Sequence, residues 1–369
     1  MVASLPFRTR VFALSERFTN KSIADASPEE IPARRAARAR LLASPAGRLV
    51  AGRPHPGVRI EDRPVDLEHV AVDDLEPETS PVSLRLRIYR PSVRVDGPLP
   101  VVVLFHGGGW VFGNPEQNEW WASRMAARTP CVVVSVDYRL APEHPYPAAV
   151  LDCWSSLHWV ARHAGEFGGD PARIVVAGDS AGGNLAAVVA DLAGRSDGPL
   201  PVGQVLVYPA AEMEEMFPSE QKFANAPVLT SRGMRAFVRL YLAGADPYAP
   251  TAAPLRGSLA GAAVPALVQV AGHDPLRDNG IRYAAALRGE GCDVTETDYP
   301  DAVHGYLSLP GISPPAKRAL DEVIAFVRRV TAVEPASPEV AAVEETKTSV
   351  WFRMRRSPHR HEPDPLAGA

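Results

Sequence analysis

The segment Arg173-Ile174-Val175-Val176-Ala177-Gly178-Asp179-Ser180-Ala181-Gly182-Gly183-Asn184-Leu185 opens as an apolar strand and closes as a helix. Ile174 to Ala177 is a short run rich in β-branched residues, and Ala181, Leu185 and Val189 recur at helical spacing. Between them, Gly178-Asp179-Ser180-Ala181-Gly182 matches G-x-S-x-G, the elbow that holds a nucleophilic serine on a strained strand-to-helix turn. The pentapeptide alone is also what any crowded turn of this kind requires, since small residues relieve the sterics. Its flanks favour the nucleophile. Ser180 would stand at a helix N-terminus, where developing negative charge is stabilised.

Working outward, the same rhythm recurs. Val82, Leu84, Leu86 and Ile88 alternate with polar residues, as in a strand with one wet face. Pro100–Phe105, Cys131–Val136, Ile174–Ala177, Val205–Val207 and Ala266–Val270 are apolar throughout, as expected of strands covered on both faces of a parallel sheet. Helical candidates separate them: Gln117–Arg128, Pro147–His163, Ala181–Ala193 and Asn279–Arg288. Alternation of this kind predicts an α/β fold with a mostly parallel central sheet flanked by helices. The 211–249 stretch, with a candidate helix at Ser231–Leu242, breaks the rhythm at the carboxyl ends of the strands, where such sheets bind ligands.

Two amphipathic segments precede this core. Val11, Leu14 and Phe18 share a helical face, and Ser27-Pro28-Glu29-Glu30 offers a capping box for a helix running to about Leu42. A Pro/Gly-rich linker is expected from Ser44 to Gly57. Residues 1–57 are thus read as N-terminal helices and linker, and 58–330 as the core. Residues 331–369, rich in Pro, Glu, Ser and Ala, read as a disordered tail. The tail's run Trp351-Phe352-Arg353-Met354-Arg355-Arg356 suits contact with an anionic membrane surface.

Of the 369 residues, 46% are hydrophobic and 22% charged, enough to bury a sizeable core. A net charge of −4 argues against a nucleic-acid partner. Three scattered cysteines form neither a disulfide framework nor a metal cluster, and Cys292 sits in a turn expected to be exposed. No signal peptide or membrane-spanning run is legible, so a cytoplasmic location is expected.

His106-Gly107-Gly108-Gly109-Trp110 follows the strand ending at Phe105. Acyl transfer passes through an oxyanion that needs preorganised N–H donors, and consecutive glycines let backbone amides approach it closely. The amides of Gly107, Gly108 and Ala181 are therefore assigned to the oxyanion hole, with His106 pinning the loop. A phosphate loop would want a lysine and a Ser/Thr nearby. Downstream, the fold places an orienting acid and then a base after Ser180. Asp274 follows the strand Ala266–Val270, and His304 follows the strand candidate Val294–Tyr299. Asp278, Asp298 and Asp301 are the competing acids.

The combination of HGGGW at 106–110, DYRLAPEHPYPAA at 137–149, GDSAGGN at 178–184, DPLRD at 274–278 and HGY at 304–306 resembles the hormone-sensitive-lipase-like, or bacterial family IV, esterases. The resemblance spans roughly residues 82–330. It implies an α/β-hydrolase core with a helical cap built from the N-terminal helices and the 211–249 insertion. It also implies cofactor-free and metal-free hydrolysis of small-molecule carboxylic esters by Ser180, Asp274 and His304, and a dimer through the last strand. Two departures stand out: Asn279 where the family usually has Glu, and Tyr306 where it commonly has Phe, a change expected at the pocket wall. Asp137, Arg139 and Glu143 are expected to form a charged network bracing the oxyanion loop. A hormone-receptor role, known in this family where the base is lost, is disfavoured because all three triad residues are present. Amidase, lactonase and deacetylase chemistry stay open, because the pocket decides among them. The expected substrates are short- to medium-chain esters.

Overall fold

The computed structural model describes residues 5–19, 22–72, 75, 77–196 and 198–333. The expectations for the tail beyond 333 lie outside the described residues.

Eight strands form one sheet in the order β1-β2-β4-β3-β5-β6-β7-β8. They are β1 Val58–Leu67, β2 Val82–Pro91, β3 Leu99–Phe105, β4 Val132–Asp137, β5 Gly169–Asp179, β6 Gly203–Val207, β7 Ala266–His273 and β8 Val294–Val303. The pairs β1–β2 and β2–β4 are antiparallel, and every pair from β4 to β8 is parallel. The predicted apolar runs are these parallel strands. Their alternate residues are buried on opposite faces, as the absence of a polar alternation requires. Val101, Val103, Val134 and Val176 pack toward α5 (Ala148–His163), α6 (Ala181–Arg195) and α9 (Arg277–Gly289). Val102, Leu104, Val133 and Val175 pack toward α4 (Glu119–Arg128) and α10 (Pro315–Thr331). Each fully buried Val contributes roughly 1.5–3 kcal/mol relative to exposure.

The chain runs from β3 to β4 on one side and returns to β5 on the other side of β3. This reversal is a topological switch point, and the loops after β3 and β5 splay apart there to leave a crevice. The glycine loop 107–109 and Ser180 lie at that crevice.

Several local expectations are corrected. β1 escaped the sequence pattern because Arg59, Glu61, Asp62, Arg63 and Pro64 look like a loop. An edge strand tolerates both charge and proline, since one side of its backbone needs no ladder partner. The expected linker contains a helix, α3 (Pro45–Ala51), whose N-cap Ser44 accepts the Gly47 N–H at 3.0 Å. The expected capping box at Ser27 does not form. Ser27 makes no side-chain cap bond, Pro28–Glu30 is a 3-10 turn, and α2 proper is Ile31–Ala43. The first segment is a helix, α1 (Phe7–Thr19), but Val11 and Leu14 face solvent while Thr9 and Ala13 are buried. Thr9 donates its hydroxyl to the Ile312 carbonyl, so the inward face follows that polar contact and not the apolar stripe. The 211–249 insertion carries α7 (Pro218–Lys222) and α8 (Ser231–Leu242).

Candidate active site

Ser180 has φ 58° and ψ −119°, a strained conformation for a residue with a Cβ. The strain has a steric cause. Strand β5 must turn directly into α6, and the helix then passes so close to β3 that a Cβ on Gly182 would lie 2.0 Å from the Phe105 carbonyl oxygen. The Ser180 N–H is held by the Val207 carbonyl at 2.8 Å, which fixes the elbow against β6.

His304 lies just beyond β8 and Asp274 just beyond β7, at the same sheet edge as Ser180. His304 Nε2 is 2.8 Å from Ser180 Oγ, and His304 Nδ1 is 2.7 Å from Asp274 Oδ2. Asp274 is fully buried, and its other oxygen accepts the Leu276 N–H at 2.8 Å. The competing acids are engaged elsewhere. Asp278 accepts the Ser219 N–H, Asp298 pairs with Arg277, and Asp301 is exposed. The Tyr208 ring lies 4.8 Å from the imidazole and limits how the base can swing.

The glycine loop requires one correction. The Gly107 N–H donates to Asp179 Oδ1 at 2.9 Å, and Gly107 does not line the pocket. Its amide is already satisfied and cannot hold an oxyanion. Gly108, Gly109 and Ala181 do line the pocket, and none of their amides donates to another group among the described residues. Gly108 has φ 127°, open to glycine alone, and a Cβ there would lie 2.1 Å from the Phe112 carbonyl oxygen. The sequence shows three glycines but not which amide the fold consumes.

Asp179 is the residue that sequence reasoning missed. It is buried between Ser180 and the glycine loop, where Oδ1 also accepts from Asn118 at 2.7 Å. Its Oδ2 accepts from Ser308 at 3.3 Å and Tyr208 at 3.4 Å. Burial pushes its carboxyl above the ordinary value, against the opposing pull of the Asn118 and Gly107 hydrogen bonds. Its position in the x of G-x-S-x-G was the available signal.

His106 pins the loop as expected. It is fully buried, stacks on Tyr138 at 4.3 Å, and its Nδ1 bonds the Gly107 carbonyl at 2.9 Å. Desolvation lowers its pKa, so the neutral ring is favoured. The expected bracing network is three separate tethers. Asp137 pairs with Arg85, Glu143 with Arg35, and Arg139 with Asp152 and Glu78. Arg35 additionally donates to the carbonyls of Val111 and Ala141, clamping α2 onto the segment behind the glycine loop. Tyr306 is not a pocket-wall residue, contrary to expectation. It is buried behind the base and donates to Gln269 Oε1 at 3.1 Å. Asn279 does reach the pocket, where its Oδ1 accepts the N–H groups of Ala211 and Glu212 and anchors the start of the insertion. Cys292 is half-buried, and all three cysteines are free thiols.

The pocket has a volume of about 120 Å³. Its wall is apolar where the insertion covers it, through Leu229, Met234, Phe237 and Val238, and Trp110 and Phe112 continue that surface. No cluster of metal-ligating side chains occurs among the described residues.

A family model described as the alpha/beta hydrolase fold matches residues 102–308, from β3 through the loop that carries His304. This chain is a member of the hormone-sensitive-lipase-like family of α/β-hydrolases. Carboxylesterase NlhH of Mycobacterium tuberculosis is 41% identical over 279 residues, covering 74% of this chain and 83% of its own length. Esterase LipI of the same organism is 41% identical over 277 residues, covering 74% and 87%. Among solved structures, a hyperthermophilic esterase from Pyrobaculum calidifontis is similar with a TM-score of 0.76 at 32% identity, covering 89% of this chain and 99% of that one. In this hydrolase no helix among the described residues is long and apolar enough to cross a membrane.

Proposed function

We propose that this carboxylic ester hydrolase cleaves short- to medium-chain esters through an acyl-enzyme on Ser180. The observation that carries the reading is His304, held between Ser180 Oγ and buried Asp274 at hydrogen-bond distance on both nitrogens. In this mechanism His304 Nε2 takes the serine proton as Oγ attacks the ester carbonyl, and Asp274 holds the ring with its Nδ1 proton inward and stabilises the imidazolium. The carbonyl oxygen gains its charge beside the amides of Gly108, Gly109 and Ala181, at the N-terminus of α6. His304 then protonates the departing alcohol. Water, deprotonated by the same base, attacks the acyl-enzyme and releases the acid.

The preference for shorter acyl groups rests on the pocket. A volume of about 120 Å³, closed by the insertion helices, leaves little room for a long chain. A series of p-nitrophenyl esters of graded acyl length tests it. kcat/KM should peak at short to medium chains and fall for palmitate. Faster turnover of emulsified long-chain triglyceride than of a soluble butyrate ester would overturn the chain-length reading. The free thiols fit a reducing compartment and a cytoplasmic site of action; fractionation of cells expressing the tagged protein tests that placement.

A further inference from the structure

Asn279 stands in the first turn of α9, buried to 5% exposure, on the wall of the active-site pocket with Leu276 and Glu212. Its place is rigid. The Asn279 N–H bonds the Leu276 carbonyl at 3.0 Å. A Cβ on the next residue, Gly280, would lie 2.5 Å from Val270 Cγ1, so the helix start is packed hard against β7.

The carboxamide is also oriented. Its Oδ1 accepts two backbone N–H groups, from Ala211 at 3.0 Å and from Glu212 at 2.9 Å. Reversing the amide would set its NH2 against those two donors, so the partners themselves fix which end is oxygen. The NH2 therefore points away from the 211–212 backbone. Among the described residues Nδ2 makes no hydrogen bond, and it is not one of the unpartnered polar atoms sealed from solvent. The cavity that Asn279 lines is the active-site pocket, so this donor is open to a bound substrate.

The neighbouring polar groups are committed. Glu212 accepts from the N–H groups of Met213, Glu214 and Glu215 and from Arg256. Arg235 gives its donors to Glu220 and to the carbonyls of Met213 and Glu214. The pocket lining holds four acidic residues, Asp179, Glu212, Glu215 and Glu220, against the two arginines Arg38 and Arg235. That balance opposes an anionic substrate group. An uncommitted donor in such a pocket suits a neutral acceptor: a ketone, ether or hydroxyl oxygen. The ionised glutamate usual in the family at this position would offer no donor, so the feature belongs to this chain's own asparagine.

Consecutive backbone N–H groups tie Asn279 to the nucleophile. Ala210 donates to the Ser180 carbonyl at 3.3 Å, and Ala211 donates to Asn279. The carboxamide oxygen thus lies within roughly 10 Å of the Ser180 backbone, a span set by two hydrogen bonds and one residue of chain.

We propose that Asn279 is a specificity-determining residue whose Nδ2 donates to a neutral acceptor oxygen of the substrate. The preferred short- to medium-chain esters are then those bearing a keto, ether or hydroxyl oxygen a few atoms from the scissile carbonyl. The inference rests on the acyl-enzyme reading above and leaves its chemistry unchanged.

Two pairs of isosteres test it, each exchanging a methyl ketone for an isopropyl group. Ethyl 4-oxopentanoate against ethyl 4-methylpentanoate places the oxygen in the acyl half. The pair 2-oxopropyl butyrate and 2-methylpropyl butyrate places it in the alcohol half. Each kcat/KM ratio is divided by the ratio for hydroxide hydrolysis of the same pair, which removes the electronic effect of the ketone. Wild-type enzyme should then favour the keto ester by about fivefold or more in at least one pair, the scale of one hydrogen bond, and the pair that responds identifies the half. Asn279→Asp keeps an oxygen for the Ala211 and Glu212 N–H groups and removes the donor, and it should lower that ratio by about fivefold. A merely structural role would slow both members of a pair alike and leave the ratio unmoved. Wild-type ratios near one in both pairs, which need no variant to measure, overturn the proposal, as does a preference that Asn279→Asp leaves intact. If wild-type enzyme turned over neither these esters nor p-nitrophenyl butyrate, the underlying mechanism would fail instead.

Discussion

Asp274→Asn has a cost that follows directly from the geometry. The carboxylate has two oxygens for two donors: Oδ1 takes the Leu276 N–H at 2.8 Å, and Oδ2 faces His304 Nδ1 at 2.7 Å. Asparagine brings one oxygen. The Leu276 N–H cannot turn away, because the Asp274 carbonyl is bonded in the same turn by the Arg277 N–H. The oxygen therefore stays with Leu276, and the amide NH2 faces Nδ1. The ring must then present a lone pair at Nδ1, which puts its proton on Nε2, the atom 2.8 Å from Ser180 Oγ. A protonated Nε2 cannot accept the serine proton. Loss of the correct tautomer with the fold intact costs serine proteases about 10⁴ in kcat, or roughly 5.5 kcal/mol, and the same is expected here. Ser180→Ala should cost more, about 10⁶, and should abolish the acyl-enzyme burst. The assay is initial-rate hydrolysis of p-nitrophenyl butyrate, with a thermal melt to show that the variants fold. If Asp274→Asn kept more than about a tenth of wild-type kcat while Asp301→Asn lost activity, the acid would have been wrongly assigned, though the hydrolase would stand.

Gly182→Ala should fold poorly, because its Cβ would meet a backbone carbonyl at 2.0 Å with no flexible side chain to yield. A loss of about 3 kcal/mol, read as a melting temperature lower by roughly 6–12 °C, is expected, and an unchanged melt would contradict it. Asp152 makes stability depend on acid: burial alone would push its carboxyl up, but hydrogen bonds from His69 and Arg139 outweigh this and hold it below the ordinary carboxylate value. A depressed folded pKa gives stability that is present above the unfolded value of about 3.9 and lost as pH falls through the folded one. The melting-temperature gap between wild type and Asp152→Asn should therefore shrink as pH drops below about 4, and a constant gap would show that the carboxylate is not the source.

What could be read from sequence divides along physical lines. Strands β3 to β7 were legible because burial on both faces forces uninterrupted apolar runs such as Val101–Phe105, and Ser180 and Asp274 were legible because each follows such a run; His304 follows a mostly polar edge strand, Val294–Val303, and was legible only from its order after Ser180 and Asp274. Features set by long-range partners were not. Val11 and Leu14 keep a helical period yet face solvent, because α1 is oriented by the Thr9 contact to Ile312, a residue 303 positions away. Asp152 and His69 form a fully buried pair, although one lies on α5 and the other in the segment after β1, 83 residues apart. Arg139 was read as part of one charged network with Asp137 and Glu143 because all three sit in the DYRLAPEHPYPAA signature, but side chains on an irregular loop point toward whichever element packs beside them.

The oxyanion hole joins the legible and the illegible parts. In the proposed mechanism its donors come from two segments, the glycine loop after β3 and the first residue of α6 after β5, which must be held in register across the switch point. Strand pairing alone brings Phe105 level with Gly178, but it leaves the loop beyond Phe105 free to move. Asp179 removes that freedom, because a residue adjacent to the nucleophile takes the Gly107 N–H and, through Asn118, the turn that follows the loop. The first glycine of the motif is thus spent on alignment, and the proposed mechanism leaves the next two for the substrate. This division explains why three consecutive glycines serve a site that draws only two amides from the loop. It also explains why the x of G-x-S-x-G here is an aspartate: only an acceptor with two oxygens can hold the loop on one side and Ser308 and Tyr208, neighbours of the base, on the other.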